Sequence, residues 1–326
     1  MSTPPPFVPP TWPATVFHIT SVIILPLYFY VLISLLHLRC VSKIYNTTFY
    51  TILLQHCIAD MLTMMFFFVI NVARGITFVR EFYYEYQEFY IAAAAYNHIY
   101  FTLYIRCTGI VILSFHRYLM IVHHHSKITT KVKNAQKIYI IAVYWTLPTL
   151  ISLVVLKDTN FYYDSLKTMS VIAEQSVIQR NTLMALIVVS LTCILCSILY
   201  GAIFIFVRKN TARLSKSVRR EIALSVQVFM LLTAFFAILV YYSFQNYYAQ
   251  TQNTGPIFYM RSIHQLANGF LSYINPVGIL LLNKEFTKKI FPFMISSRVE
   301  RNRLMSGTLS GSAKQLRRNR RSNATI

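Results

Sequence analysis

Seven stretches of this chain are long and apolar enough to cross a bilayer as helices, which takes about 20 residues each. They run over 16–38, 49–73, 91–122, 137–156, 182–207, 222–245 and 257–282. Hydrocarbon offers no hydrogen bonds, so each run must satisfy its own backbone as a helix and bury any polar side chain against its neighbours. Composition agrees: 56% of the 326 residues are hydrophobic and only 13% are charged, against about 25% charged in soluble domains. The chain therefore reads as an all-α membrane protein, a seven-transmembrane helix bundle over 16–290. A short Pro-rich tail (1–15) precedes the bundle, and a basic cytoplasmic tail without expected structure (291–326) follows it. No Lys or Arg precedes the first run, so a cleavable leader is not expected.

Charge assigns the two sides. If the N-terminus is outside, 24 of the 31 Lys and Arg residues fall in cytoplasmic segments, and six of the ten acids (Glu81, Glu85, Glu88, Asp158, Asp164, Glu174) fall outside. That is the asymmetry of the positive-inside rule, so the reading is N-terminus outside, C-terminus inside. The net charge of +21 is then mostly a cytoplasmic coat drawn to anionic inner-leaflet lipids, at about 1 kcal/mol per basic residue. The run Arg317-Arg318-Asn319-Arg320-Arg321 needs no nucleic-acid partner. Both glycosylation acceptor sequences, at Asn46 and Asn323, land inside, where they would stay unmodified.

Charges within the spans mark function best, because each costs about 2.5–3.5 kcal/mol at a helix centre. Asp60 in span two and Arg106 in span three both lie 11 residues from the cytoplasmic end of their span, about 16 Å at 1.5 Å per residue. Asn275 in span seven is slightly shallower. The expectation is an Asp60–Arg106 ion pair bridged to Asn275, acting as a switch or simply as a fold-specifying lock. Span seven also places Pro276 directly after Asn275, which frees a backbone carbonyl and suits a kinked helix packed in a bundle rather than a plain anchor. The five cysteines lie in or beside apolar runs, so no loop disulfide is available. Cys40 alone sits where palmitoylation is an option.

At the inner end of span three stands His116-Arg117-Tyr118. This segment resembles the Asp-Arg-Tyr motif of rhodopsin-like G-protein-coupled receptors, with His116 in the acid's place. Asn275-Pro276-Val277-Gly278-Ile279 resembles their Asn-Pro-x-x-Tyr motif, with Ile279 for Tyr. Asn283-Lys284-Glu285-Phe286 matches the start of their membrane-parallel helix, and Asp60, Trp145 and Pro148 suit their second and fourth spans. The resemblance covers 16–290. The departures are the missing outer disulfide, the lack of Trp-x-Pro in span six, and His116. With the acid gone, Glu221 is the candidate to hold Arg117, in competition with Arg219 and Arg220. These departures, with Phe49 to Asp60 and Leu103 to Gly109, look like nematode serpentine chemoreceptors of the Srg superfamily, closest to the Srv class. The resemblance implies a plasma-membrane receptor of chemosensory cilia for a small environmental molecule, coupled to a heterotrimeric G protein through His116, Arg117, Tyr118, Glu221, Asn275 and Pro276.

The outer halves of spans three, six and seven hold Tyr96, Asn97, Tyr100, Tyr104, Tyr241, Tyr242, Gln245 and His264, an aromatic pocket with few polar anchors that suits a small, moderately apolar ligand. The aromatic and acidic segment Glu81–Tyr90 reads as an interface belt or a ligand lid. No cofactor is expected, and no metal: His123, His124 and His125 are consecutive and cannot all face one ion. A channel or transporter using Asp60 and Arg106 is the alternative, but the internal repeats and matched broken helices of transporters are absent. Nothing in the spans reads as an enzyme.

Overall fold

A computed structural model of the protein describes residues 12–210, 216–252 and 254–291. In chain order it comprises α1 (Trp12–Val41), α2 (Thr48–Phe67), a π turn (Phe68–Val72), a 3-10 turn (Ala73–Gly75) and α3 (Thr77–Glu85). A second π turn (Gln87–Ile91) leads to α4 (Ala92–Val122), α5 (Lys127–Lys133), α6 (Lys137–Leu156) and the strands β1 (Phe161–Tyr163) and β2 (Val171–Ala173). Then come α7 (Gln175–Asn210), α8 (Lys216–Gln250), α9 (Thr254–Leu282) and α10 (Lys284–Ile290). Seven helices, namely α1, α2, α4 and α6 to α9, are long and apolar enough to cross a membrane. The expected seven-helix, all-α architecture is present. The span 137–156 has the same bounds as α6, whereas α7 starts seven residues before the expected 182 because its first two turns are polar. The tails, 1–11 and 292–326, lie outside the described residues.

α4 is the central helix, packed on α2, α6, α7 and α8. Its buried residues cover all sides, from Tyr96 to Ile121, and no amphipathic stripe is therefore visible in its sequence. At Gly109 the neighbours come so close that a Cβ would run into the Tyr144 hydroxyl of α6 and, at 2.5 Å, Nδ1 of His56 of α2. His56 and Tyr144 bond each other at 3.1 Å. In α1 and α6, by contrast, large apolar side chains face outward, among them Val22, Ile23, Tyr139 and Leu150. Such a surface is costly in water and is at home in lipid.

The chain divides into two compact units, residues 1–278 and 279–326. Within the second, the Asn283 side chain caps α10 by accepting the Phe286 N–H at 3.2 Å. Glu285 lies in the first turn of α10 and Lys288 and Lys289 in the last, each sign where the helix dipole favours it.

At one end of the first unit, the loop between α6 and α7 folds as a hairpin, with Phe161 opposite Ala173 and Tyr163 opposite Val171. No disulfide holds it. Instead Phe161 stacks on Tyr96 of α4, ring centroids 4.7 Å apart, and the Tyr163 N–H donates to the Gln87 side-chain oxygen at 2.6 Å. Asn97 of α4 donates to the Asp158 carbonyl at 3.0 Å and to the Tyr90 hydroxyl at 3.1 Å, and Asp158 forms an ion pair with Arg180 of α7. Together these contacts do the fastening that a disulfide would do.

Candidate functional site

Three places in the first unit bear on function: a cavity under the hairpin, a buried polar layer at mid-depth, and the buried Arg117 at the opposite end.

The cavity has a volume of about 320 Å³ and lies between α4, α8, α9 and the hairpin. Of the eight residues expected around a pocket, Tyr96, Tyr100, Tyr241, Gln245 and His264 line it. The other three do not: Asn97 is turned to the loop contacts above, while Tyr104 and Tyr242 are buried outside the lining. The remaining wall comes from residues the sequence reading passed over, chiefly Phe67, Arg261 and the hairpin residues 168–171. The segment Glu81–Tyr90 contributes nothing to the lining. It forms α3 and a turn, and the hairpin covers the cavity instead. Its strands, Phe161-Tyr162-Tyr163 and Val171-Ile172-Ala173, are three residues each and show no alternation in sequence that would set them apart between long apolar helices.

At mid-depth the expected direct Asp60–Arg106 ion pair is not formed. Among the described residues, no Arg or Lys nitrogen lies within 4.0 Å of Asp60. Asp60 Oδ2 accepts from the Tyr28 hydroxyl at 2.8 Å and from the Asn275 amide at 3.1 Å. Arg106 donates to the Ser272 hydroxyl at 3.0 Å and to the Asn268 side-chain oxygen. The Asp60–Asn275 half of the expected lock is thus present, and Arg106 has partners of its own. The reason is the direction of side chains on helices. Each Cα–Cβ bond tilts towards its own helix's N-terminus, and α2 and α4 run antiparallel. Two charges at equal depth therefore point apart, Asp60 towards Asn275 and Arg106 towards Asn268. One stripe of α9, residues 268, 272 and 275 at i, i+4 and i+7, serves both. α9 stays helical across Pro276.

At the far end of α4, Arg117 is fully buried. It forms an ion pair with Glu221 of α8, and its guanidinium carbon lies 3.1 Å from the ring centroid of Phe49 of α2. Phe49 is the residue here that sequence reasoning missed: an aromatic at the start of a span looks like a belt residue. Among the described residues, Nε and Nη2 of the guanidinium are buried without a hydrogen-bond partner. His116, adjacent in sequence, is buried against Phe49 with ring centroids 5.9 Å apart and does not clasp Arg117. Tyr118 is turned aside, its hydroxyl bonded to His123 Nε2 at 2.9 Å. Arg219 and Arg220, the expected competitors for Glu221, have side chains outside the described residues.

The arrangement is a cavity at one end, a buried cation held between two helices at the other, and a shared polar stripe on α9 between them. Comparison with curated proteins gives no match. Residues 17–295 match the family described as serpentine type 7TM GPCR chemoreceptor Srv. That match covers the whole bundle, from the first turns of α1 past the end of α10, and the chain belongs to the Srv family of serpentine chemoreceptors.

Proposed function

We propose that this chemoreceptor binds a small extracellular molecule in the cavity under the hairpin and passes the signal to a heterotrimeric G protein at the Arg117 end. In this reading it lies in the plasma membrane of a sensory cell with its N-terminus outside. The observation that carries it is the Arg117–Glu221 ion pair between α4 and α8. A buried cation bound to a partly exposed acid on the neighbouring helix is a contact that holds two helices together in one state only. If ligand favours a state in which α8 has moved, the pair opens and Arg117 becomes available to a partner, which is a population shift between two states of the bundle. His116, Tyr118, Asn275 and Pro276 would shape that opening. His116 leaves Arg117 without the neighbouring acid, and Pro276 frees the Ser272 carbonyl in the stripe that bonds Arg106. Anionic lipid would sit on the basic face around Lys127 to Lys137.

The test is guanine-nucleotide exchange on purified Gα subunits of each class, with the wild type, Glu221→Ala and Arg117→Ala. Losing about 1 kcal/mol of resting-state stabilisation raises the active fraction roughly fivefold, so Glu221→Ala is expected to raise basal exchange severalfold and Arg117→Ala to abolish it. A ligand- or voltage-dependent current from the reconstituted chain with every G protein absent would replace this reading with the channel.

A further inference from the structure

The cavity has a sign. Among the described residues its lining contains no Asp and no Glu, and the one formal charge in it is the guanidinium of Arg261 on α9. Arg261 is held at the wall: Nη1 donates to the Val171 carbonyl of the hairpin at 3.0 Å, and the guanidinium carbon lies 5.9 Å from the Tyr96 ring centroid. The hydroxyls of the lining are largely committed to the protein, Tyr96 and Tyr100 to each other at 3.2 Å and Tyr241 to the Met260 carbonyl at 3.0 Å. Gln245 differs. It is 8% exposed, and its side-chain oxygen is buried with no hydrogen-bond partner among the described residues. Phe67, Ile99 and the Tyr96 and Tyr100 rings supply the apolar remainder.

Resting on the reading of this cavity as the ligand site, we infer that its ligand is a small organic acid with a planar apolar body and one hydrogen-bond donor. The carboxylate meets Arg261, whose planar fork of N–H groups matches two carboxylate oxygens. The donor, a hydroxyl or N–H, meets the unpartnered Gln245 oxygen, and the body lies against the rings. The competing chemistry is an amine, because an aromatic cavity attracts cations. Here the cation's place over Tyr96 is already taken by Arg261, and a second positive charge in a cavity without a carboxylate is repelled.

The test uses the full-length receptor in lipid nanodiscs and matched probes: 4-hydroxybenzoate against 4-hydroxybenzylamine, and 4-hydroxyphenylacetate against tyramine, with benzoate as the acid lacking the donor. Affinities are read by saturation-transfer NMR and by probe-induced thermal shift, with no G protein present. Each acid is expected to bind about tenfold or more tightly than its amine, and 4-hydroxybenzoate more tightly than benzoate. Arg261→Gln should erase the preference for acids, and Gln245→Leu should erase the advantage of 4-hydroxybenzoate over benzoate. Arg261→Glu should invert the preference, a gain that a misfolded protein cannot show. Amines binding as tightly as acids, no acid binding at all, or acid binding that ignores Arg261→Gln would each overturn the inference. Because binding is read without G protein, acids that bind while exchange never occurs would sink the coupling and leave the ligand class standing.

Discussion

Arg106 is a guanidinium at mid-depth whose hydrogen-bond partners are neutral, Ser272 and Asn268, while the carboxyl in the layer, Asp60, is bonded elsewhere. Two outcomes follow at this scale. Exchanging the charges, Asp60→Arg with Arg106→Asp, should recover none of the stability lost in the single variants, because the exchanged side chains still point apart along antiparallel helices. Recovery in a thermal melt of detergent-purified protein would restore the direct pair. Removing one neutral acceptor, Asn268→Ala, leaves a buried charged donor short of a partner, which costs about 1.5–3 kcal/mol. The double variant Arg106→Met with Asn268→Leu should be more stable than Asn268→Ala alone, since it leaves no buried charge short of a partner and only the neutral Ser272 hydroxyl loses a donor.

Among the elements, α4 depends most on one small residue. At Gly109 a Cβ would meet the Tyr144 hydroxyl and His56 Nδ1, so Gly109→Ala should cost about 1–3 kcal/mol by overpacking. Adding Tyr144→Phe, which removes the hydroxyl, should return part of that loss, and no return would place the strain elsewhere. The sequence showed α4 only as one long apolar run, because a helix buried on every side has no polar face to reveal its contacts. The number and order of the helices were legible because lipid demands about 20 apolar residues per crossing. The Arg117–Glu221 juxtaposition was legible from charge at matching ends of two spans. The hairpin was not, since its fastening is spread over Asn97, Asp158, Phe161 and Arg180, none of which stands out alone. Nor were Asn268 and Ser272: they are ordinary polar residues until the tilt of Arg106 selects them, whereas Asn275 was marked by the proline that follows it.

Across the molecule, the cavity and Arg117 occupy opposite ends of the bundle, so the proposed function requires a definite orientation, and charge supplies the argument for it. With Arg117 inside, the connections on its side of the first unit carry the basic excess, Lys127, Lys131, Lys133 and Lys137, while Asp158, Asp164 and Glu174 lie with the cavity. Reversing the chain would translocate most of the +21 net charge, against the rule that basic residues stay cytoplasmic. Glycan attachment reads this directly, because it occurs only on the outer side. The natural acceptor Asn46-Thr47-Thr48 lies between α1 and α2 at the Arg117 end. Leu166 is 39% exposed in the hairpin and is followed by Lys167 and Thr168, so Leu166→Asn creates an acceptor at the cavity end. In microsomes or cells, the wild type should show no shift on treatment with N-glycosidase, and Leu166→Asn should show one. A glycan on Asn46 of the wild type, with none added by Leu166→Asn, would turn the receptor over and place the cavity in the cytoplasm, where an environmental ligand could not reach it.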